Sequence, residues 1–437
     1  MTTSDSAASW VAAAQRNVWQ PYTQMKTAPA PIPITHAEGV YLYTAEGSRL
    51  LDGVSSWWVN IHGHNHPRLN RALTRQAEQM AHVIFAGLTH EPGARLAQAL
   101  VECTPGNLPH VFYTDDGSTA VEAALKMAHQ HWRLRGETKR NTFVAIENGY
   151  HGDTFGAMSV GDVPEFQAEF ESLLFDVKYA AGPHRHHDAG RSKYQPLETI
   201  LEQHGNEVAA VVVEPMIQGA GGMIISPPQY LRHVRDVSRQ HSIPLIADEV
   251  FTGFGRTGKL FACEHASVEP DIICLSKGLT GGYLPLAATL ASDEIYNAFL
   301  CDDRAMSFFH GHSYTGNALG CALGVESLAI LNDTQAIERV GRLETLFSER
   351  LERLSHFAAV RTTRGLGGVA VIELHTNAAQ SYLDKRGPGL TKEFIKRGLL
   401  LRPLGNVVYF VPPYVITDEE AQWAFDVIEE VLGTETS

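Results

Sequence analysis

Cysteine is scarce and irregularly placed in this chain of 437 residues. The five cysteines are an odd number, lie far apart and include no C-x-x-C pair: Cys103, Cys263, Cys274, Cys301 and Cys321. A disulfide framework or a zinc site would need paired, closely spaced cysteines. We therefore expect reduced and mostly buried thiols, as in a cytoplasmic protein.

The chain also lacks long apolar runs and an excess of positive charge. No stretch of about 18 apolar residues occurs, so no membrane-spanning helix is predicted. Residues 1–15 show no cationic region followed by an apolar one, which a secretory signal would need. The chain has 35 Lys and Arg against 49 Asp and Glu, a net charge of −14. Such a surface does not attract nucleic acid or anionic membrane. We expect a cytoplasmic metabolic protein that binds neither.

What is present is an alternation of short β-rich runs with amphipathic stretches between about Val111 and Ser292. This alternation predicts an α/β fold, in which helices cover both faces of a mostly parallel sheet. Several runs are continuously apolar, as strands buried on both faces should be. The predicted strands are 111–114, 142–146, 209–213, 244–248, 272–275 and 287–291.

One of the intervening helices is predicted to begin near Ser118, which we interpret as its N-cap. The apolar stripe of this helix is formed by Val121, Leu125, Ala128 and Trp132, spaced i, i+4, i+7 and i+11.

A change of pattern after about residue 330 predicts a second, smaller α+β domain of roughly a hundred residues. It would contain a long charged helix at 337–354 and a closing helix with Ala421, Phe425, Ile428 and Val431 on one face. The segment before about Gly53 has too little apolar periodicity for a core of its own, so we expect it to pack on the small domain. The predicted parts are 1–60, 61–330 and 331–437.

A histidine-rich segment between Gly182 and Pro196 is predicted to be a solvated loop. Its His184, His186 and His187 lack the i, i+4 spacing of a helical metal-binding pair. No metal site is predicted anywhere in the chain.

A lysine and a carboxylate each mark the end of a predicted buried strand. Lys277 follows strand 272–275, where partial desolvation would lower the pKa of its amine towards the neutral, nucleophilic form. Asp248 and Glu249 close strand 244–248, and a buried carboxylate needs a partner. A protonated pyridine nitrogen is such a partner, so the pair fits pyridoxal phosphate. Taken singly, Lys277 is equally well interpreted as an ordinary lysine at the exit of a strand. Asp248 alone would more often be a structural acid.

A phosphate site is predicted at the turn 115–119, between a strand and a helix. Backbone N–H groups at a helix N-terminus bind phosphate, Gly117 permits close approach, and Ser118 adds a hydroxyl. The turn lies near the carboxyl ends of the parallel strands, where ligands gather in open α/β sheets. Alone, the same turn would be a common helix N-cap.

The glycine-rich run 253–259 matches G-x-G-x-x-G and the first part of a P-loop, but neither match holds in context. Leu260 stands where a P-loop needs Ser or Thr, and no clear helix opens after the run. We interpret it as a tight loop that carries Arg256 towards the site.

Three blocks in fixed order, Asp-Glu-Val at 248–250, Gly-Phe-Gly-Arg-Thr-Gly at 253–258 and Ser-Lys-Gly at 276–278, resemble the class III aminotransferases. Within that class the chain is most similar to the 7,8-diaminopelargonate synthases of biotin biosynthesis, from about Val18 to the C-terminus. The blocks that carry this likeness lie at 19–23, 55–58, 61–64, 87–90, 149–153 and 401–403.

The resemblance implies the type I fold of pyridoxal-phosphate enzymes, with a mostly parallel seven-stranded sheet. It implies that Lys277 bonds to the cofactor, Asp248 pairs with the pyridine nitrogen and Tyr150 lies against the ring. Gly117 and Ser118 would hold the phosphate. In the family's homodimers Gly311 and the following residues come from the neighbouring subunit, so His312 and Ser313 would complete the phosphate site.

For the substrate, the resemblance implies a pocket lined by Tyr22, Trp57, Tyr150, Lys277, Gly311 and Arg402, with Arg402 binding a carboxylate. The implied reaction converts 8-amino-7-oxononanoate to 7,8-diaminononanoate with S-adenosyl-L-methionine as amino donor. His-Gly-His-Ser-Tyr at 310–314 departs from the His-Gly-Pro-Thr-Phe of adenosylmethionine-using members and leaves lysine as an alternative donor. Asp116 and Phe251 are further departures, where the family commonly has Ser and a smaller residue.

Other functions remain open at this point. A broad ω-amino acid or diamine:pyruvate aminotransferase shares the family, and an aminomutase shares the fold. A binding protein without activity is a further alternative, although a desolvated lysine and a buried carboxylate are costly in a mere scaffold.

Overall fold

The computed structural model describes residues 3–183, 192–376 and 382–434. The predicted loop with His184, His186 and His187 lies outside them. The α-helices are Thr3–Asn17, Pro67–Gln79, Glu91–Cys103, Gly117–Leu134, Phe155–Ser159, Pro164–Gln167, Leu197–His204, Pro228–Gln240, Cys263–Ala266, Asp293–Asn297, Ala318–Asp333, Ala336–Leu354, Arg386–Lys396 and Asp418–Gly433. Short 3₁₀ helices lie at Ala168–Leu173, Lys277–Thr280 and Arg304–Met306.

A seven-stranded sheet forms the centre of the larger part of the chain. Its strand order is His110–Thr114, Ala287–Ala291, Ile272–Leu275, Leu245–Asp248, Val208–Val213, Thr142–Ile146 and Val177–Ala180. Only Ala287–Ala291 runs antiparallel to its neighbours. The α/β prediction is confirmed, and the six predicted strands start within one residue of the observed ones. The seventh, Val177–Ala180, was missed because it is a short, half-buried edge strand.

The helix after the first strand of this sheet begins at Gly117, and its N-cap is Asp116 rather than the predicted Ser118. Oδ1 of Asp116 accepts a hydrogen bond from Thr119 N at 2.9 Å, and Thr119 Oγ1 accepts one from Asp116 N at 3.1 Å. This reciprocal capping box satisfies two backbone donors at once, which explains why Asp116 takes the role. The predicted stripe Val121, Leu125, Ala128 and Trp132 is buried.

Two smaller sheets link the beginning of the chain to its end. Val360–Leu366, Val369–Leu374 and Val407–Phe410 form an antiparallel sheet. Ile34–Glu38, Tyr41–Thr44 and Arg49–Asp52 form another, whose last strand pairs in parallel with Leu399–Leu400. The segment before Gly53 therefore shares a sheet with the C-terminal region. A separate strand pair, Ile217–Gln218 and Ile224–Ile225, packs with the core of the antiparallel C-terminal sheet.

The cores of the two parts meet along the helix Ala336–Leu354. Its Val340 packs in the core of the large sheet, whereas its Phe347 packs against Phe410 and Phe425, with ring centres 5.4 Å away. Aromatic pairs of this kind contribute about 0.5–1.5 kcal/mol each beyond the burial of their area. We propose that the boundaries between the parts of the chain lie at residues 60 and 330, as the sequence predicted. Within the described ranges, no helix combines the length and apolarity that a membrane span requires.

Candidate active site

A cavity of about 710 Å³ opens at the carboxyl ends of the central strands, where open α/β sheets bind ligands. It brings together all the residues that were predicted to contact a cofactor within one chain: Gly117, Ser118, Tyr150, Asp248 and Lys277.

Lys277 opens a 3₁₀ turn directly after strand Ile272–Leu275 and has a positive φ of 47°, a conformation that strains any residue with a Cβ. Its Nζ lies 4.7 Å from the ring centre of Trp58 and 5.7 Å from that of Phe251. Burial lowers the pKa of Lys277 to about 8, although Asp248 and Glu214 act against the shift. The amine is therefore much closer to its neutral form at neutral pH than an exposed lysine is.

Asp248, at the end of strand Leu245–Asp248, is buried and held from two sides. Its Oδ2 lies 2.7 Å from Nδ1 of His151, and its Oδ1 accepts a hydrogen bond from Val250 N at 3.0 Å. Burial acts to lower the pKa of His151, but its hydrogen bond and attraction to Asp248 raise that pKa overall. A carboxylate fixed in this way suits a cationic partner such as a protonated pyridine.

Glu214 is a second buried carboxylate of the cavity, to which the sequence analysis gave no role. Its Oε2 accepts a hydrogen bond from Tyr150 N, and its Oε1 accepts one from Gly219 N, both at 3.0 Å. Burial raises the pKa of Glu214 to about 7, although His151 acts to lower it. Glu214 directly follows a buried strand, Val208–Val213, just as Asp248 ends one, so the same sequence signal would have found it.

A cradle of small groups lies at the start of helix Gly117–Leu134. The first N–H groups of a helix have no carbonyl partner within it and are free to bind an anion. Ser118 Oγ accepts a hydrogen bond from Thr154 N at 3.0 Å and lies 2.7 Å from Thr154 Oγ1. A Cβ on Gly152 would come within 2.3 Å of Ser118 Oγ, so only glycine fits there.

Tyr22, Trp57 and Arg402, which were predicted to bind the substrate, contact one another, and Tyr22 joins them to Tyr150; none of the three lines the cavity itself. Tyr22 donates a hydrogen bond from its hydroxyl to Asp153 Oδ2 at 2.5 Å, and its hydroxyl lies 3.2 Å from that of Tyr150. The Tyr22 ring packs edge-on against Trp57, with ring centres 5.6 Å apart. The guanidinium of Arg402 lies over the same Trp57 ring, 4.9 Å from its centre. Burial raises the pKa of both tyrosines well above the usual value.

The two tryptophans at 57 and 58 are carried by an unusual turn. All four residues of Ser55–Trp58 have positive φ, between 46° and 74°. Backbone hydrogen bonds from Trp58 N to Val54 O (2.8 Å) and from Val59 N to Ser55 O (3.0 Å) close one left-handed helical turn. Left-handed conformations cost roughly 1–2 kcal/mol per non-glycine residue. The turn therefore needs support from outside itself.

The predicted Gly311, His312 and Ser313 do not line the cavity of their own chain. Nδ1 of His312 lies 3.3 Å from Asp115 Oδ2, and the carbonyl of Ser313 lies 2.6 Å from Nε2 of His82. That Gly311, His312 and Ser313 contribute to the active site of a neighbouring subunit stays a prediction.

The prediction that the glycine-rich loop carries Arg256 towards the site is wrong. The Arg256 side chain is fully buried and does not line the cavity. It donates hydrogen bonds to Pro412 O at 2.9 Å and to Ser55 Oγ at 3.4 Å. Arg256 thus packs behind the left-handed turn.

Asp116 and Phe251, the two other departures from the family pattern, both have defined partners in the fold. The carboxylate of Asp116 is engaged in capping its helix. Phe251 packs on Trp58, with ring centres 4.6 Å apart, and is only 7% exposed.

The model of the family "Aminotransferase class-III" matches residues 22–432. The chain belongs to the class-III aminotransferases. Enzymes of this class depend on pyridoxal phosphate, so the predicted family, fold and cofactor are confirmed. The free amine of Lys277, the fixed carboxylate of Asp248 and the cradle at Gly117 fit this cofactor.

Relatives of this aminotransferase match it over nearly their whole length. The adenosylmethionine-8-amino-7-oxononanoate aminotransferase of Synechococcus elongatus is 46% identical over 95% of this chain and 98% of its own. The crystal structure of the enzyme with the same name from Methanocaldococcus jannaschii has a TM-score of 0.92 at 38% identity, and the match covers 97% of this chain and 98% of that one. An omega transaminase of Pseudomonas jessenii in complex with PMP has a TM-score of 0.89 at 28% identity, covering 97% and 99%.

Proposed function

We propose that this aminotransferase transfers an amino group from S-adenosyl-L-methionine to the ketone of 8-amino-7-oxononanoate and so forms 7,8-diaminononanoate, a step of biotin biosynthesis. The names of its relatives at 38–46% identity support this reaction. The observation that carries the proposal is the row formed by Arg402, Trp57 and Tyr22, which ends at Tyr150 in the wall of the cavity that contains Lys277.

This row matches the chemistry of the acceptor, which has a long apolar chain between a reacting ketone and a carboxylate. Tyr22 and Trp57 offer apolar ring surface to the chain. Arg402 offers a planar pair of donors to the carboxylate, a task for which a guanidinium is better shaped than an ammonium. Lys277 then lies near the ketone end.

The residues of the site have distinct tasks in this reaction. Pyridoxal phosphate, when bound, supplies an electrophilic carbon and an electron sink. Lys277 Nζ, with its lowered pKa, would move a proton between the amino-bearing carbon of the donor and the cofactor. Asp248, oriented by His151, would keep a proton on the ring nitrogen of the cofactor. Tyr150 would lie against the ring, and Gly117 with Ser118 would hold the phosphate.

The proposed enzyme is a homodimer whose active sites are shared at the interface. The support is a set of large apolar side chains that one chain leaves exposed near the loop of His312: Ile84, Leu88, Phe309 and Tyr314, all between 53% and 75% exposed. Exposed apolar groups of this size mark interaction surfaces. His312 and Ser313 would reach the partner's phosphate site from this loop.

A second candidate is a broad ω-amino acid or diamine:pyruvate aminotransferase. It is favoured by solved omega transaminases with TM-scores of 0.91 at 27–31% identity. Lysine as the donor for the nonanoate is a further alternative, because His-Gly-His-Ser-Tyr stands at 310–314.

The test supplies S-adenosyl-L-methionine, lysine and alanine separately as donors, with 8-amino-7-oxononanoate as acceptor, and measures 7,8-diaminononanoate by mass spectrometry. Diamine from S-adenosyl-L-methionine supports the proposal, whereas diamine from lysine alone changes the donor. No diamine from any donor, together with turnover of pyruvate and small ω-amines, would replace the proposal by the second candidate.

A further inference from the structure

We propose that Asp52 and His64 are positioning residues of the active site, although neither lines the cavity. In this account the carboxylate of Asp52, oriented by His64, holds the turn Ser55–Trp58 in its left-handed conformation. The turn in turn fixes the rings of Trp57 and Trp58. The choice of acceptor used in the test rests on the proposed function, whereas the geometry does not.

The contacts of Asp52 are concentrated on this turn. Its side chain is fully buried. Oδ1 accepts hydrogen bonds from Ser56 N at 3.0 Å and Val54 N at 3.3 Å, and Oδ2 accepts one from Ser56 Oγ at 2.7 Å. One carboxylate thus binds three donors at the start of the turn, and charged acceptors form the stronger hydrogen bonds.

His64 completes the coordination of Asp52 from the other side. Its Nε2 lies 2.9 Å from Oδ2 of Asp52, and its Nδ1 lies 2.8 Å from Nδ2 of Asn60. With Asn60 donating to Nδ1, the proton of a neutral His64 sits on Nε2 and is donated to Asp52. Asn60 lies two residues after the turn. The loop 60–64 therefore folds back, so that His64 contacts the carboxylate of Asp52.

The turn has a direct effect on both ends of the site. Trp58 lies under the amine of Lys277 and against Phe251, and Trp57 lies between Tyr22 and the guanidinium of Arg402. A relaxation of these residues from positive to negative φ would redirect both side chains. Asp52 therefore affects the surroundings of Lys277 and those of Arg402 together, because one backbone conformation fixes both tryptophans.

The test compares the holoenzyme variants Asp52→Ala, Asp52→Asn and the double variant Asp52→Ala with Ser56→Gly. Glycine adopts positive φ at no steric cost, so it should compensate at position 56 for the lost anchor. The matched control is Asp271→Ala. Asp271 binds Arg235 and Leu245 N at the opposite end of the strands and plays no part in the site.

We expect Asp52→Ala to lower kcat/KM for 8-amino-7-oxononanoate about 10- to 100-fold, because a shift of about 1 Å in positioning groups has an effect of this size on rate. Asp52→Asn keeps the acceptor for the two backbone donors and should fall between Asp52→Ala and the wild type. The double variant should recover part of the loss. Near-ultraviolet circular dichroism of the cofactor-free variants should show an altered tryptophan signal for Asp52→Ala, restored in the double variant. Asp271→Ala should lower only the melting temperature.

An unchanged kcat/KM and tryptophan signal in Asp52→Ala would overturn the inference, as would no recovery in the double variant. If Asp52→Ala does not fold, a wild-type kcat/KM and tryptophan signal in Asp52→Asn would overturn it. If the wild type does not convert the nonanoate at all, the proposed function fails, and the dichroism signals alone decide on Asp52.

Discussion

The amine of Lys277 lies over the face of Trp58, with Nζ 4.7 Å from the ring centre. A cation above an aromatic face is stabilised by about 0.5–2 kcal/mol. Because this interaction favours the charged amine, Trp58→Leu should lower the pKa of Lys277 below about 8, by roughly 0.4 to 1.5. The measurement is the pH dependence of Lys277 acylation in the cofactor-free protein, with Trp58→Phe as the control that keeps a ring. An unchanged or higher pKa in Trp58→Leu would contradict the role given to Trp58.

Asp248 and His151 form a buried pair, which predicts unequal effects of removing either partner. Asp248→Asn removes the charge that would hold the ring nitrogen protonated, and we expect kcat to fall at least about 100-fold. His151→Gln removes only the orienting hydrogen bond and should cost about 10-fold. Steady-state kinetics of both variants checks this order. A larger loss for His151→Gln would mean that His151 acts directly in the reaction.

Arg402 is predicted to bind the acceptor's carboxylate while lying on Trp57. Arg402→Lys keeps the charge but loses the planar fork and the ring contact. We expect KM for 8-amino-7-oxononanoate to rise about 10-fold or more, with kcat nearly unchanged, because the interaction is the same in ground and transition states. An acceptor ketone without a carboxylate serves as control, and equal losses with both acceptors would exclude this role.

The raised pKa of Glu214 predicts that the stability of the protein depends on pH. Its pKa rises from 4.5 to about 7 on folding, so the native protein binds more protons than the unfolded chain between these values, and stability falls as pH rises through this window. Glu214→Gln removes this dependence, so its stability relative to wild type should improve by on the order of 3 kcal/mol between pH 4.5 and 7.

Urea unfolding of the cofactor-free proteins across this range checks the slope, with the exposed Glu78→Gln as control. A Glu214→Gln variant whose stability follows the pH dependence of the wild type would contradict the assignment.

Much of the fold could be predicted because the central strands are continuously apolar, a pattern that burial on both faces dictates. The edge strand Val177–Ala180 escaped because it is only half buried and carries Lys178. The cap of the helix Gly117–Leu134 was misplaced by two residues, since Asp116 and Ser118 are both good N-cap residues and only the backbone decides between them.

The candidate site was predictable where a residue ends a buried strand, as Lys277 and Asp248 do. The partners of these residues were not. His151 lies 97 positions from Asp248 in sequence, and no local pattern sets such a distance. The left-handed turn Ser55–Trp58 contains no glycine, the residue that normally signals positive φ, so its conformation appears only in three dimensions.

Lys277 is the lysine that we propose bonds to the cofactor. Reduction of the purified yellow holoenzyme with borohydride, followed by proteolysis and mass spectrometry, fixes the cofactor to whichever amine holds it. We expect the added mass on the peptide containing Lys277, and we expect neither added mass nor the absorbance of the lysine-bound cofactor in Lys277→Ala. Added mass on another lysine, or turnover retained in Lys277→Ala, would contradict it.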